Sequence, residues 1–251
     1  MPKVEPRVIL IRHSCNPDEL IAMAAKLCYS NADVEDLRAG VAQRDQTAFL
    51  RRLMDMGHES PLEHATFTFA ISGVSRSFLA QITRHRIASF SVQSQRYVGQ
   101  KREQGEFCYV LPPAIEALSQ AAVDRYHLQM QTMQRWYNEW VDALGDAGES
   151  SNEDARFVLP NAAETRMLVT MNVRELGHFF RVRCCNRAQW EIRAVAWQML
   201  QLCRGVSPVL FADFGPGCLR GACTEGTKSC GKMAQVRRHS QQIDAALKEQ
   251  K

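Results

Sequence analysis

No stretch of this 251-residue chain stays apolar for the ~18–20 residues that a membrane-spanning helix needs. The opening, MPKVEPRVILIRHS, is apolar over too few residues to form the core of an export signal, so a cytoplasmic protein without a membrane anchor is the expectation. Two phosphate-binding signatures are missing, Gly-x-Gly-x-x-Gly and Gly-x-x-x-x-Gly-Lys-Ser/Thr. Their absence argues against a conventional dinucleotide fold. The nine cysteines do not divide into pairs, which speaks against a closed disulfide framework and for thiols in a reducing compartment. Charge of one sign is not in excess either: 31 Lys+Arg against 27 Asp+Glu leaves +4. So small a balance does not favour nucleic acid as a partner, whereas an isolated basic cluster suits a small anion. Neither an internal repeat nor a clear linker is visible. The expected organisation is therefore one catalytic-size domain, 1–217, with a Cys-containing polar tail, 218–251, partly mobile at its end.

The most informative absence is of acid. From His64 through Arg102 there is no Asp or Glu, yet the segment carries Arg76, Arg84, Arg86, Arg96, Lys101 and Arg102. At its centre, RHRIASFSVQSQRY (84–97) sets Arg84, His85, Arg86 and Arg96 among Ser89, Ser91, Gln93, Ser94 and Gln95. Guanidinium forks fit phosphate and carboxylate oxygens and keep their charge at any working pH. An anionic ligand is one reading. A solvated basic face, or pairing with acids distant in sequence, is the other.

Periodicity predicts a strand at 7–12, a helix from about Asp18 to Tyr29 capped by Asn16 or Asp18, and a helix over Asp45–Met56 stopped by Gly57. Alternation over Ala65–Ile71 predicts a strand broken at Gly73. Ser75 to about His85 reads as helix, which puts Arg84–Arg86 at or just after its C-terminus. Pro112 and Pro113 open one long helix to about Leu144, with a stripe through Met130, Met133 and Trp136 that reads as core packing. The polar run 148–160 reads as a connector, 165–173 as a buried strand, and 174–184 and 188–202 as helices.

A second basic cluster holds Arg166, Arg174, Arg181, Arg183 and Arg187, with Glu175 its lone acid and Glu191 one turn beyond Arg187 as that residue's expected partner. His178 in this segment reads as an ordinary helical polar side chain. GHESPLEH separates His58 and His64 by six across a proline, which is not the helical i,i+4 geometry of a zinc hydrolase. In the tail, Cys218, Cys223 and Cys230 supply three thiols where a structural zinc wants four ligands. His239 is the remaining candidate; free or redox-labile thiols are the competing reading, and no metal is assigned.

Arg84-His85-Arg86 followed after seven residues by Ser94 resembles the hallmark of the flavin-dependent thymidylate synthases. The upstream GHESPLEHATFTF and the downstream ARFVLP, MNVRELGHFF and RVRCCNRAQWEIR resemble that family's other blocks in order, over roughly residues 7–215. The resemblance implies an α+β fold, a twisted, mostly antiparallel sheet flanked by helices. It implies a homotetramer that shares FAD across its interfaces. The implied reaction is reductive methylation of dUMP to dTMP, with methylenetetrahydrofolate as carbon donor and NADPH as reductant. It further implies that Gln81, Arg84, Ser94, Gln95, Arg96, Arg156 and Arg183 hold dUMP, and that Ser60, Arg84, His85, Arg86, Asn172, Arg174 and His178 hold FAD. Arg183 is then the catalytic residue, favouring ionisation at the pyrimidine N3. Three positions depart from the family pattern: Val92 stands where many members have Glu or Gln, Ser91 where Asn is frequent, and Arg187 where some have His. The rival readings are a flavin or nucleotide oxidoreductase without methyl transfer and a nucleic-acid-binding module.

Overall fold

The computed structural model describes residues 3–101 and 107–249; Arg102 of the basic segment lies outside them. Four strands, β1 (Arg7–His13), β2 (Thr66–Ser75), β3 (Ala88–Val92) and β4 (Glu164–Asn172), form one antiparallel sheet in the order β1-β2-β4-β3. The helices are α1 (Pro17–Leu27), α2 (Val34–Ala42), α3 (Thr47–Asp55), α4 (Arg76–Ile82), α5 (Pro113–Glu116), α6 (Gln120–Ala143), α7 (Glu149–Ala155), α8 (Val173–Arg183), α9 (Trp190–Val206), α10 (Pro208–Phe211) and α11 (Met233–Glu249). This is the α+β class expected. The chain forms two compact units that alternate along the sequence: residues 1–7, 70–84 and 90–168 make one, and 8–69, 85–89 and 169–251 the other.

In the first unit α6 is the main packing element. Its buried face is Met130, Gln134, Tyr137 and Val141, at the three- and four-residue steps of one helical stripe. Met130 packs with Phe107, Tyr109 and Ala163, while Tyr137 and Val141 pack with Ala155. Trp136, placed on the core stripe by the sequence, is about half exposed. The single long helix expected from Pro113 is two: α5 ends at Glu116, and Ser119, extended, restarts the chain by accepting a hydrogen bond from the Ala122 N–H. The connector 148–160 contains α7, which sequence reading missed because its residues are polar on nearly every face. Gly73 does not end β2. It continues the strand at φ 68°, where an added Cβ would sit 2.0 Å from the Glu5 carbonyl oxygen, and its N–H donates to Glu164 Oε1.

The core of the second unit is aromatic. Phe67 and Phe180 both pack edge-on against Phe211, which in turn meets Phe214. Leu176 and Phe179 of α8 and Ile192, Val195 and Ala196 of α9 are fully buried. Arg204 on α9 is buried as a hub: its guanidinium donates to the Phe211, Ala212 and Phe214 carbonyls and to Ser240 Oγ, and pairs with Asp244 at 3.1 Å. That hub ties α11 into the unit, so the polar C-terminus ends in a docked helix whose Val236 and Ile243 face inward.

Candidate active site

Of the predicted nucleotide-binding residues, Gln81, Arg84, Ser94, Gln95, Arg96 and Arg156 belong to the first unit and Arg183 to the second. Ser75 caps the start of α4 by accepting from Phe78 N–H, and the helix ends at Ile82, so Arg84 leaves it two residues later. Ser94 Oγ accepts the Arg96 N–H at 3.1 Å and the Tyr97 N–H at 3.4 Å. Both oxygen lone pairs are thereby engaged, and the hydroxyl proton is left to donate. Gln95 carries a buried side-chain Nε2 with no hydrogen-bond partner, a group that costs about 1–3 kcal/mol unless something accepts from it. Arg156 folds back so that its Nε donates to the Glu153 carbonyl. Arg76, half-buried, lies close enough to Arg156 that burial and then that second guanidinium push its pKa down. Two cations facing each other are an arrangement that an anion would relieve.

The sequence-based picture of cations without acidic mates fails for several residues. Arg96 is held by Glu149 at 2.5 Å and Glu153 at 2.7 Å, both from α7. Lys101 pairs with Asp142 and Asp146. In the second unit Arg174 pairs with Glu59 and Glu63, and Arg187 pairs with Glu225 at 3.2 Å and not with the expected Glu191. The reason is tertiary: each acid sits more than 35 positions away in sequence and is delivered by the fold. Arg84 and Arg86 carry no ion pair among the described residues.

A cavity of about 630 Å³ lies within the second unit. Asn172, Arg174 and His178 of the expected flavin residues line it, with Ile87, His58, Gly177, Arg181 and Phe214. Ser60, His85 and Arg86 are not on its lining. Asn172 is the cap of α8: its Oδ1 accepts the Glu175 N–H at 2.8 Å, which leaves the side-chain amide free to donate. Gly177 lets the helix approach the cavity wall closely, since a Cβ there would stand 3.1 Å from the Phe214 ring.

A polar chain runs from Glu175 on the cavity lining through buried His85 to half-buried Arg183. Arg183 Nε donates to His85 Nε2 at 3.0 Å. A guanidinium has no acceptor, so Nε2 must be unprotonated and the imidazole proton sits on Nδ1. Nδ1 then donates to Glu175 Oε1 at 2.9 Å. His85 is therefore neutral in one fixed tautomer. Burial pushes its pKa down, and Arg183 adds to that against the opposing Glu175 hydrogen bond. His178, read from sequence as an ordinary polar residue, stacks obliquely on His85 and accepts from Arg181 Nη2 at 3.1 Å. His85, Glu175 and His178 bring three ligand-type atoms within 4.8 Å of one another. A cation is nonetheless unsuited to this group. Both His85 nitrogens are engaged, and Arg181 and Arg183 point at the two imidazoles. Sequence reading overlooked Glu175; the signal was its isolation as the only acid in the second arginine cluster.

The family model described as thymidylate synthase complementing protein matches residues 9–209. A flavin-dependent thymidylate synthase of Geobacter sulfurreducens is 49% identical over 232 residues, 92% of this chain and 97% of that protein. One from Pyrococcus furiosus is 40% identical over 87% of this chain and 89% of its own length. Among solved structures, the UMP/dUMP methylase PolB of Streptomyces cacaoi, bound with 5-Br dUMP, superposes with a TM-score of 0.67 at 25% identity, covering 84% of this chain and 94% of that one. These matches make the chain an enzyme of the thymidylate synthase class. More narrowly, it belongs to the flavin-dependent thymidylate synthase family.

Proposed function

We propose that this protein converts dUMP to dTMP by reductive methylation, with methylenetetrahydrofolate donating the carbon and NADPH the hydride by way of FAD. The observation that carries the reading is the Glu175–His85–Arg183 chain, buried at its first two members, which fixes one guanidinium through a neutral imidazole of defined tautomer. A guanidinium held beside the pyrimidine N3–H stabilises the conjugate base and so raises electron density at C5, where the new carbon must attach. Arg84, Arg96 and Arg156 hold the nucleotide phosphate in this reading, the unpartnered Gln95 amide donates to an acceptor on dUMP, and the Ser94 hydroxyl donates to it and does not attack it. The support for a pyrimidine monophosphate is the orphaned Gln95 donor together with the 5-Br dUMP bound by the structurally similar methylase.

The second-unit cavity is the flavin site in this reading: its volume lies in the usual range of cofactor sites, Met54, Leu62, Ile87 and Phe214 give it apolar wall among charged side chains, and Asn172, Arg174 and His178 supply donors. Ser60, Arg84, His85 and Arg86 complete the FAD set in the proposal, with His85, whose ring nitrogens are both engaged, giving no side-chain hydrogen bond to it. The bound flavin supplies hydride transfer. We further infer a homotetramer and a cytoplasmic enzyme; among the described residues no helix is long and apolar enough to cross a membrane. The test is dTMP formation and tritium release from C5-labelled dUMP with folate, NADPH and FAD supplied. Flavin reduction without tritium release would establish the oxidoreductase reading instead. Tight binding to long polynucleotides, steeply weakened by salt and without turnover, would establish the nucleic-acid reading.

A further inference from the structure

The three tail cysteines lack a fourth partner only in sequence. The fold supplies one from the loop between α8 and α9, Cys185. Cys218, buried in a short 3-10 turn (Gly217–Leu219), lies within electrostatic range of Cys223, Cys185 and Cys230, and all four are free thiols. His239, the fourth ligand considered from sequence, instead packs edge-on against Trp197 with ring centroids 4.7 Å apart.

Independent contacts bind the three segments that carry these thiols. Asn186 Nδ2 donates to Cys230 Sγ at 3.5 Å. The next residue, Arg187, donates to the Lys228 carbonyl at 3.0 Å and pairs with Glu225, so the Cys185 loop and the Cys230 loop are fastened at three points. On the other side Gly217 lies flush on Thr224, where an added Cβ would stand 2.7 Å from the Thr224 methyl, bringing Cys218 and Cys223 together. Arg237 of α11 clamps the base of the loop through the Cys218 and Gly221 carbonyls at 2.9 and 2.8 Å. What the loop does not have is a core: residues 220–232 are all exposed or intermediate and hold a single short turn. Segments of this kind, too poor in buried apolar surface to hold a shape, are commonly held by a metal or by disulfides.

We propose that Cys185, Cys218, Cys223 and Cys230 form a four-thiolate centre for a thiophilic metal, a structural clasp that adjoins the cavity wall at Gly217 and Arg220 and supplies none of its lining thiols. The shared chemistry is soft-metal binding by thiolate, and its source is either one zinc ion or an iron–sulfur cluster. Among the described residues no three of these sulfurs lie within 4.8 Å of one another. A single zinc with Zn–S of about 2.3 Å draws its sulfurs to about 3.8 Å, so zinc entry would bring these thiols closer together, whereas an iron–sulfur cluster accommodates a wider set.

The experiment is metal and acid-labile sulfide analysis of the full chain, purified without oxygen from cells supplied with both zinc and iron. Iron with matching sulfide identifies a cluster, and about one zinc per chain without sulfide identifies the ion; either supports the site. Exposed Cys230→Ser and the half-buried Cys223→Ser must each lower the metal content at least several-fold while flavin binding persists. Metal-free protein with normal folding, a metal load unchanged in both variants, or a tail disulfide found by mass under non-reducing conditions would each overturn it. Because flavin content and dTMP formation are read separately, failure here leaves the proposed function standing, and the converse also holds.

Discussion

Glu175→Gln separates a residue that merely fills space from one that fixes Arg183. The substitution conserves volume at a side chain only 7% exposed and keeps an oxygen able to accept from His85 Nδ1. What it removes is charge. A hydrogen bond to a charged group contributes about 1.5–3 kcal/mol and a neutral one about 0.5–1.5, so the loss is about 1–1.5 kcal/mol. The glutamine can also turn its amide to His85. Nδ1 would then have to accept, the proton would move to Nε2, and Nε2–H would oppose the Arg183 Nε–H that it now receives at 3.0 Å. Spent on Arg183 positioning, that loss lowers kcat roughly 5–15-fold. Glu175→Ala strands a buried donor outright, at about 1–3 kcal/mol, and is expected to lose 5–150-fold and thermal stability with it. Single-turnover dTMP formation at saturating dUMP reads the effect, beside an Arg183→Ala enzyme and the double variant. If Glu175 acts through Arg183, Glu175→Gln has no further effect once Arg183 is gone. Full additivity in that cycle, or undiminished kcat in a folded Glu175→Gln protein, would refute the relay.

Gln95→Met replaces an unpartnered buried amide with an apolar chain of similar size, so the melting temperature should hold or rise while KM for dUMP increases; a fall in stability with unchanged KM would remove Gln95 from the site. Gly73→Ala drives a Cβ into the Glu5 carbonyl at a left-handed φ and should destabilise by at least about 2 kcal/mol in denaturant titration. The pH dependence has a fixed sign. His85 is held neutral, with its folded pKa below the ordinary value near 6.5, so the unfolded chain takes up a proton that the folded chain refuses. Stability should therefore fall as pH drops below about 6.5 and stay flat above it as far as this group is concerned, and His85→Gln should flatten the slope in melting curves.

Where sequence reading succeeded, the signal was local. The helices around Leu50, Phe78 and Leu176 follow from three- and four-residue apolar steps, and β2 from alternation through Phe67 and Phe69. Where it failed, the deciding interaction came from elsewhere in the chain. Nothing near Gly73 announces the Glu5 backbone that it must admit, and nothing near Arg96 announces α7, whose Glu149 and Glu153 share a face only once that polar segment coils. β3 escaped notice because Ala88–Val92 is short and lies inside the cationic stretch, where chemistry drew attention from periodicity. The proposed nucleotide-binding set came from a family pattern, which said nothing of the electrostatics among its residues. His85 was named as a ligand contact, and its hydrogen bonds to Glu175 and Arg183 required the fold.

Those electrostatics rank the arginines proposed to hold the phosphate. Arg96 is about half exposed and already satisfied by two carboxylates, so a phosphate reaching it exchanges one set of ion pairs for another. Exposed pairs of this kind contribute only about 0–1 kcal/mol, which makes the exchange easy but leaves little net gain. Arg156 stands differently. Its Nε is turned to a backbone carbonyl, and its charge works against that of the half-buried Arg76. A dianion placed there relieves a repulsion and displaces no carboxylate, so more of its attraction survives as affinity. Arg156→Ala should accordingly raise KM for dUMP more than Arg96→Ala does, by at least several-fold. Raising the salt concentration should narrow the gap little, because the Arg76–Arg156 pair is the less solvated. Equilibrium binding of dUMP to the two variants at low and high salt measures the order directly, and a larger loss at Arg96 would mean that α7 surrenders its arginine to the nucleotide and that the repulsion between Arg76 and Arg156 is not what draws the phosphate in.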